Sequence, residues 1–165
     1  GASRDAAALT DDGDNLFTTA GVMGAAVSLG LGVALSAPAR QVAVITGDGE
    51  LLMNVGALAT VASMVPDNLT IVCIDNGLHA ETGGQKGHTA RRTDLEAMAR
   101  GAGLASTMTI RDPGQAAAAA EFLRDAPAPR FLLARVIEGP PAPYKRNFDP
   151  AVCRLRFRGA YLSSR

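Results

Sequence analysis

Gln41-Val-Ala-Val-Ile-Thr-Gly-Asp-Gly-Glu50 decides how the rest of the chain is read. Residues 41–46 form a short β-branched run without polar alternation, the mark of a strand buried on both faces. The run passes directly into Gly47-Asp48-Gly49, and residues 50–64 read as a helix. A carboxylate thus leaves the tip of a buried strand between two glycines that let a ligand approach the backbone. The helix start beyond it offers free N–H groups to an anion. On its own, such a triplet is most often only a turn.

Working outward, residues 69–75 form a second buried run, ending in Asn76-Gly77. Residues 78–92 are a loop rich in glycine and threonine. Thr93-Asp-Leu-Glu96 is a capping-box pattern opening a helix to about residue 100. A strand is expected over 106–110, and a helix from Asp112-Pro113 to residue 124. Another strand covers 130–137. Before all of these, residues 1–19 read as polar and turn-rich, and residues 21–36 as a helix. The glycines of that helix, at about 1 kcal/mol each relative to alanine, imply close approach to another helix or a ligand.

Alternating strands and helices predict an α/β fold: a three-layer sandwich with a mainly parallel sheet. The domain is assigned to residues 1–143, and residues 144–165 to a C-terminal tail packing on a partner subunit. Ligands bind such sheets beyond the carboxyl ends of the strands, where Asp48 and Asn76 both fall. Between Gly49 and Asn76 lie 26 residues, room for one helix and one strand. Asn76 therefore returns beside Asp48, and the two oxygen donors suit Mg²⁺.

Composition narrows the alternatives. Apolar residues make up 47% and charged residues 19%, which is globular rather than disordered. The 16 basic and 16 acidic residues balance, which argues against a nucleic-acid or membrane partner. The longest apolar stretch, residues 21–37, is broken by glycines and serines and is too short for a bilayer. Cys73 and Cys153 form no disulfide framework or zinc motif, so a reducing, cytoplasmic location is expected.

Taken in order, four motifs resemble the thiamine diphosphate enzymes. They are Thr19-Ala-Gly-Val-Met-Gly-Ala-Ala, Gly47-Asp-Gly-Glu-Leu-Leu-Met-Asn-Val-Gly-Ala-Leu-Ala-Thr, Asp75-Asn-Gly-Leu-His and Glu81-Thr-Gly-Gly-Gln. Among those enzymes they look like the phosphonopyruvate and sulfopyruvate decarboxylases. The resemblance implies the thiamine diphosphate-binding fold, thiamine diphosphate and Mg²⁺ as cofactors, and a small anionic 2-oxo acid as substrate. It implies that Asp48, the Asn76 side chain and the Leu78 carbonyl hold the metal. Gly47 belongs to the same motif, and Gly49 and Glu50 would offer backbone N–H groups to the diphosphate. The Gly21 carbonyl would accept from the cofactor's amino group, and Met23 would wedge between its rings. Thr82 and Gly83, with Gly84 and Gln85, would close over the diphosphate. His79 would face the substrate carboxylate or move a proton, a loop histidine that merely hydrogen-bonds being the rival reading. His88, Lys86, Arg91 and Arg92 are weaker candidates.

In that family a glutamate from a pyrimidine-binding domain activates the cofactor. Glu50, Glu81, Glu96, Glu121 and Glu138 have no matching context. The resemblance therefore implies an α-type partner subunit supplying that glutamate in a hetero-oligomer, as with the β subunit of sulfopyruvate decarboxylase. The first helix and strand of the family also have no counterpart ahead of Gly1-Ala-Ser-Arg, which reads as truncation or processing. Two alternatives stay open: a carboligase subunit resembling acetolactate synthase, and a non-catalytic assembly subunit of the same fold.

Overall fold

A computed structural model describes residues 1–18, 21–140 and 142–163. Its main sheet has four parallel strands in the order β1-β2-β6-β5. They are β1 (Val42–Gly47), β2 (Leu69–Asp75), β5 (Ser106–Ile110) and β6 (Arg130–Arg135). The expected strands are thus present, the last ending at Arg135; Val136 N–H still bonds the Asp75 carbonyl at 2.9 Å, and Ile137 beyond it is 94% exposed.

Strand alternation sorts the sheet into two faces. Leu69, Ile71, Cys73, Phe131 and Leu133 join one core with Val27 and Leu31 of α2 (Ala26–Ser36), Leu58 and Val61 of α4 (Ala57–Met64), and Leu95 and Ala99 of α5 (Leu95–Gly101). Leu132 and Ala134 point the other way, toward the side of α6 (Ala116–Asp125). Chain direction explains this layering. From β1 to β2, and from β2 past β6 to β5, the chain crosses the sheet in one sense, and only β5 to β6 reverses it. Right-handed crossovers then place the helix of the reversed step on the opposite face.

Several boundaries differ from expectation, each for a local reason. The segment ahead of residue 19 contains helix α1 (Ala2–Thr10), ended by Asp11 and Asp12 at positive φ. Thr19 and Ala20 lie outside the described residues. Helix α2 begins at Ala26, not residue 21, because Gly21 (φ 80°) and Gly24 (φ 86°) are left-handed. The helix expected over 50–64 is two helices, α3 (Asp48–Met53) and α4, separated at Asn54 and Gly56. The cap of α5 is Asp94, which accepts from the Ala97 amide at 3.0 Å, and not Thr93. Its expected partner Glu96 instead accepts from the hydroxyls of Thr107 and Thr109. Asp112 and Gln115 do form a capping box, but over a 3₁₀ turn that precedes α6.

At one position the glycines of α2 do serve close approach, but to a strand and not to the helix or ligand expected. A Cβ on Gly30 would lie 2.1 Å from Val44 Cγ2, so only glycine lets α2 settle on β1. Gly32 has open space and no such reason.

The tail carries helix α7 (Pro150–Ser163), and one of its faces packs on this chain. Cys153 is buried beside Thr18, Phe157 meets Phe17 at 5.5 Å, and Arg156 pairs with Asp12 at 3.2 Å. Val152 and Leu155 face outward. No described helix is long and apolar enough to cross a membrane.

Candidate functional site

β1 and β2 run in register, with Gly47 opposite Ile74, so Asp48 and Asp75-Asn76 emerge side by side at the carboxyl edge. Both aspartates are 4% exposed. Between them stands Thr89, whose hydroxyl lies 2.8 Å from Asp48 Oδ2 and 2.7 Å from Asp75 Oδ1. A hydroxyl has one proton, so it satisfies one carboxylate at a time. Arg135, at the end of β6, reaches Asp75 Oδ2 with Nε at 3.1 Å. That pair is off the hydrogen-bonding axis, and it is anchored by a bond from Arg135 Nη2 to the Thr89 carbonyl at 3.2 Å.

Asp48 bears the consequence. Burial raises its pKa above the ordinary carboxylate range, and the Asp75 charge adds to this. Hydrogen bonds from Thr89 and from the Gly49 and Asp48 amides work in the opposite direction. A buried carboxylate beside a second one, with a single hydroxyl proton between them, is a site that a divalent cation would neutralise.

Asn76 follows directly. Its Oδ1 accepts from Leu78 N–H at 3.1 Å, which fixes the side chain and leaves that oxygen a second lone pair. The loop then closes as a short hairpin of β3 (Leu78–His79) and β4 (Gln85–Lys86), inside the segment read as loop. Gly77 (φ 68°) and Gly87 let its two arms touch, with Gly87 N–H on the Gly77 carbonyl at 2.7 Å. A Cβ on Gly87 would lie 3.2 Å from that carbonyl and 3.5 Å from Asp48 Oδ2. The backbone after Asn76 therefore borders Asp48. Among the described residues no cluster of three His, Cys, Asp or Glu could hold a metal ion; the donor set expected from the sequence counts only one such residue, Asp48.

The other expected residues divide into two groups. The His79 ring sits over Gly49, where a Cβ would lie 3.3 Å from Nδ1, so His79 stands beside the first turn of α3. Gly21 and Met23 lie on the segment ahead of α2, with Met23 52% exposed. Gly47 caps α3. Thr82 and Gly83, by contrast, are exposed at the hairpin tip, where Thr82 bonds the His79 carbonyl and Gln85. Lys86, His88, Arg91 and Arg92 are exposed. A groove of about 550 Å³ runs along the outer edge of β1, but none of these site residues lines it.

Sequence reasoning gave no role to Thr89, Asp75 or Arg135. Asp75 was visible as the acidic end of a buried run. Thr89 and Arg135 carry no local signal, because only the fold brings Thr89 to Asp48 and Arg135 to Asp75.

Comparison with known proteins gives the class first. The fold matches transketolase from Campylobacter jejuni with a TM-score of 0.58 and 17% identity, over 68% of this chain and 20% of that one. Residues 6–133 match the model of the thiamine pyrophosphate enzyme C-terminal TPP-binding domain, and the chain belongs to that family. Over 98 residues it is 46% identical to sulfopyruvate decarboxylase subunit beta of Methanocaldococcus jannaschii, covering 59% of this chain and 52% of that one. It is 48% identical over 93 residues to phosphonopyruvate decarboxylase of Streptomyces hygroscopicus, covering 56% and 23%. The matches thus span about half of the first relative's length and about a quarter of the second's.

Proposed function

We propose that this chain is the diphosphate-binding subunit of a thiamine diphosphate- and Mg²⁺-dependent 2-oxo acid decarboxylase acting on sulfopyruvate or phosphonopyruvate. The observation that carries the reading is the buried Asp48 carboxylate, sharing one Thr89 proton with Asp75 at the strand tips. The names of the relatives support the substrate class, and the words "subunit beta" support a hetero-oligomer.

Asp48, Asn76 Oδ1 and the Leu78 carbonyl hold the metal in this reading, hard oxygens suited to Mg²⁺. The Gly49 and Glu50 amides receive the diphosphate, and Gly47 leaves its path open. The Gly21 carbonyl and Met23 set the ring end of the cofactor. His79, over Gly49, holds or moves a proton at the substrate. When bound, thiamine diphosphate supplies the electron sink for release of CO₂. The activating glutamate comes from a pyrimidine-binding partner, which also takes the outward face of α7 with Val152 and Leu155. The two free, buried cysteines support a reducing, cytoplasmic setting.

The test is reconstitution with a co-purifying partner. Neither protein alone should release CO₂ from sulfopyruvate or phosphonopyruvate, and the mixture should. Carbon–carbon coupling products instead of CO₂ and aldehyde would favour the carboligase reading. Complex formation without cofactor binding would favour an assembly subunit.

A further inference from the structure

The Glu50 side chain reaches into the segment that precedes α2. Its Oε1 accepts from Gly24 N–H at 2.9 Å and from Ala26 N–H at 3.1 Å. Its Oε2 accepts from the Thr46 hydroxyl at the end of β1. The N-cap of α2 is Ala25, which has no side-chain acceptor. Glu50 therefore caps α2 from another helix, and its charge meets the positive end of the α2 dipole.

One turn further along the chain, Asn54 Nδ2 donates to the Gly24 carbonyl at 3.0 Å. Both backbone polar groups of Gly24 are thus tied to side chains from α3 and its end. The approach is close: a Cβ on Gly24 would lie 3.2 Å from the Cβ atoms of Met53 and Asn54. Gly24 also has φ 86°, so an L side chain would be strained there in any case. Met23 is the next residue back along the chain, and Gly21 is two before that.

We infer that Glu50 is a positioning residue: its carboxylate fixes the Gly21–Met23 segment against the helix that begins with Asp48. One side chain then sets the spacing between the group that holds metal and diphosphate and the group that meets the cofactor's rings. This rests on the cofactor reading given above and adds to the backbone role of Glu50 a second one, through its carboxylate.

The experiment compares two probes on the full chain by titration calorimetry. Mg²⁺ with inorganic pyrophosphate reports the strand-tip half alone, whereas Mg²⁺ with thiamine diphosphate reports both halves. Glu50→Leu should weaken thiamine diphosphate binding about tenfold or more, the scale of a lost charge-assisted hydrogen bond. Pyrophosphate binding should change much less than thiamine diphosphate binding, and hydrogen exchange at the Gly24 and Ala26 amides should accelerate. Glu50→Gln keeps an acceptor for both amides but not the charge, and should restore most of the binding. Asn54→Ala, an exposed site that cuts the other tether, should show the same selectivity more weakly, and it serves if Glu50→Leu does not fold. Equal losses on both probes, no loss on thiamine diphosphate, or failure of Glu50→Gln to restore binding would overturn the inference. A wild-type chain that binds neither probe would overturn the cofactor reading beneath it, and this inference with it.

Discussion

Thr89 Oγ1 lies 2.8 Å from Asp48 Oδ2, and the same hydroxyl lies 2.7 Å from Asp75 Oδ1. Asp75 Oδ1 also accepts from the Gly77 amide at 3.0 Å, and the two buried carboxylates share this one hydroxyl donor. Thr89→Val removes it while nearly keeping the volume. The metal-free protein should lose about 1–3 kcal/mol, the cost of leaving a buried polar group unsatisfied. Thr89→Ser should stay close to wild type. Chemical denaturation with and without Mg²⁺ checks this, and the gap between Val and Thr should narrow when Mg²⁺ is present. Equal stability of all three would remove the bridging role.

The raised pKa of Asp48 gives a pH dependence with a definite sign. Burial comes first among its causes and Asp75 adds to it. Because the folded pKa exceeds the unfolded one, the group's contribution to stability is present below the unfolded value and is lost as pH rises through the folded value. The metal-free domain is thus penalised toward neutral pH at this residue. Mg²⁺ competes with the proton, so its affinity should fall in mildly acidic buffer and its binding there should release protons. Calorimetry in buffers of different ionisation enthalpy measures that release. Asp48→Asn should abolish it.

Two glycines of one helix should respond oppositely to alanine. At Gly30 the new Cβ would meet Val44 Cγ2 at 2.1 Å. Forcing α2 off β1 should cost about 1–3 kcal/mol. At Gly32 nothing lies within 4 Å, so alanine there should gain up to about 1 kcal/mol from helix propensity. Thermal denaturation of the two variants reads the difference directly. A destabilised Gly32→Ala would point to a contact on that face outside this chain.

The strands were legible because buried parallel strands are written as continuous β-branched runs, as at residues 42–46 and 69–74. The return of residues 75–76 beside the end of β1 was legible because the residues after Gly49 have room for one crossover and one strand, although the crossover is two helices and not one. What stayed hidden depends on backbone sign or on distance in sequence. Gly21 and Gly24 look like helix residues until their positive φ is known, and so the start of α2 was missed. Thr89 is 41 residues from Asp48 and meets it only through the turn at Gly77 and Gly87. Asp94 outcompeted Thr93 as a cap because its side chain reaches the Ala97 amide, a choice that the pattern alone leaves open.

The central claim is that Asp48 anchors a divalent ion and, through it, a thiamine diphosphate. Calorimetric titration of thiamine diphosphate into wild type and Asp48→Ala, each with and without Mg²⁺, tests it most directly. Wild type should bind only with Mg²⁺, and Asp48→Ala should lose about a hundredfold or more of that affinity, at least the loss typical of a disrupted metal environment. Equal affinity of the two proteins in Mg²⁺, or binding by wild type that ignores Mg²⁺, would contradict it.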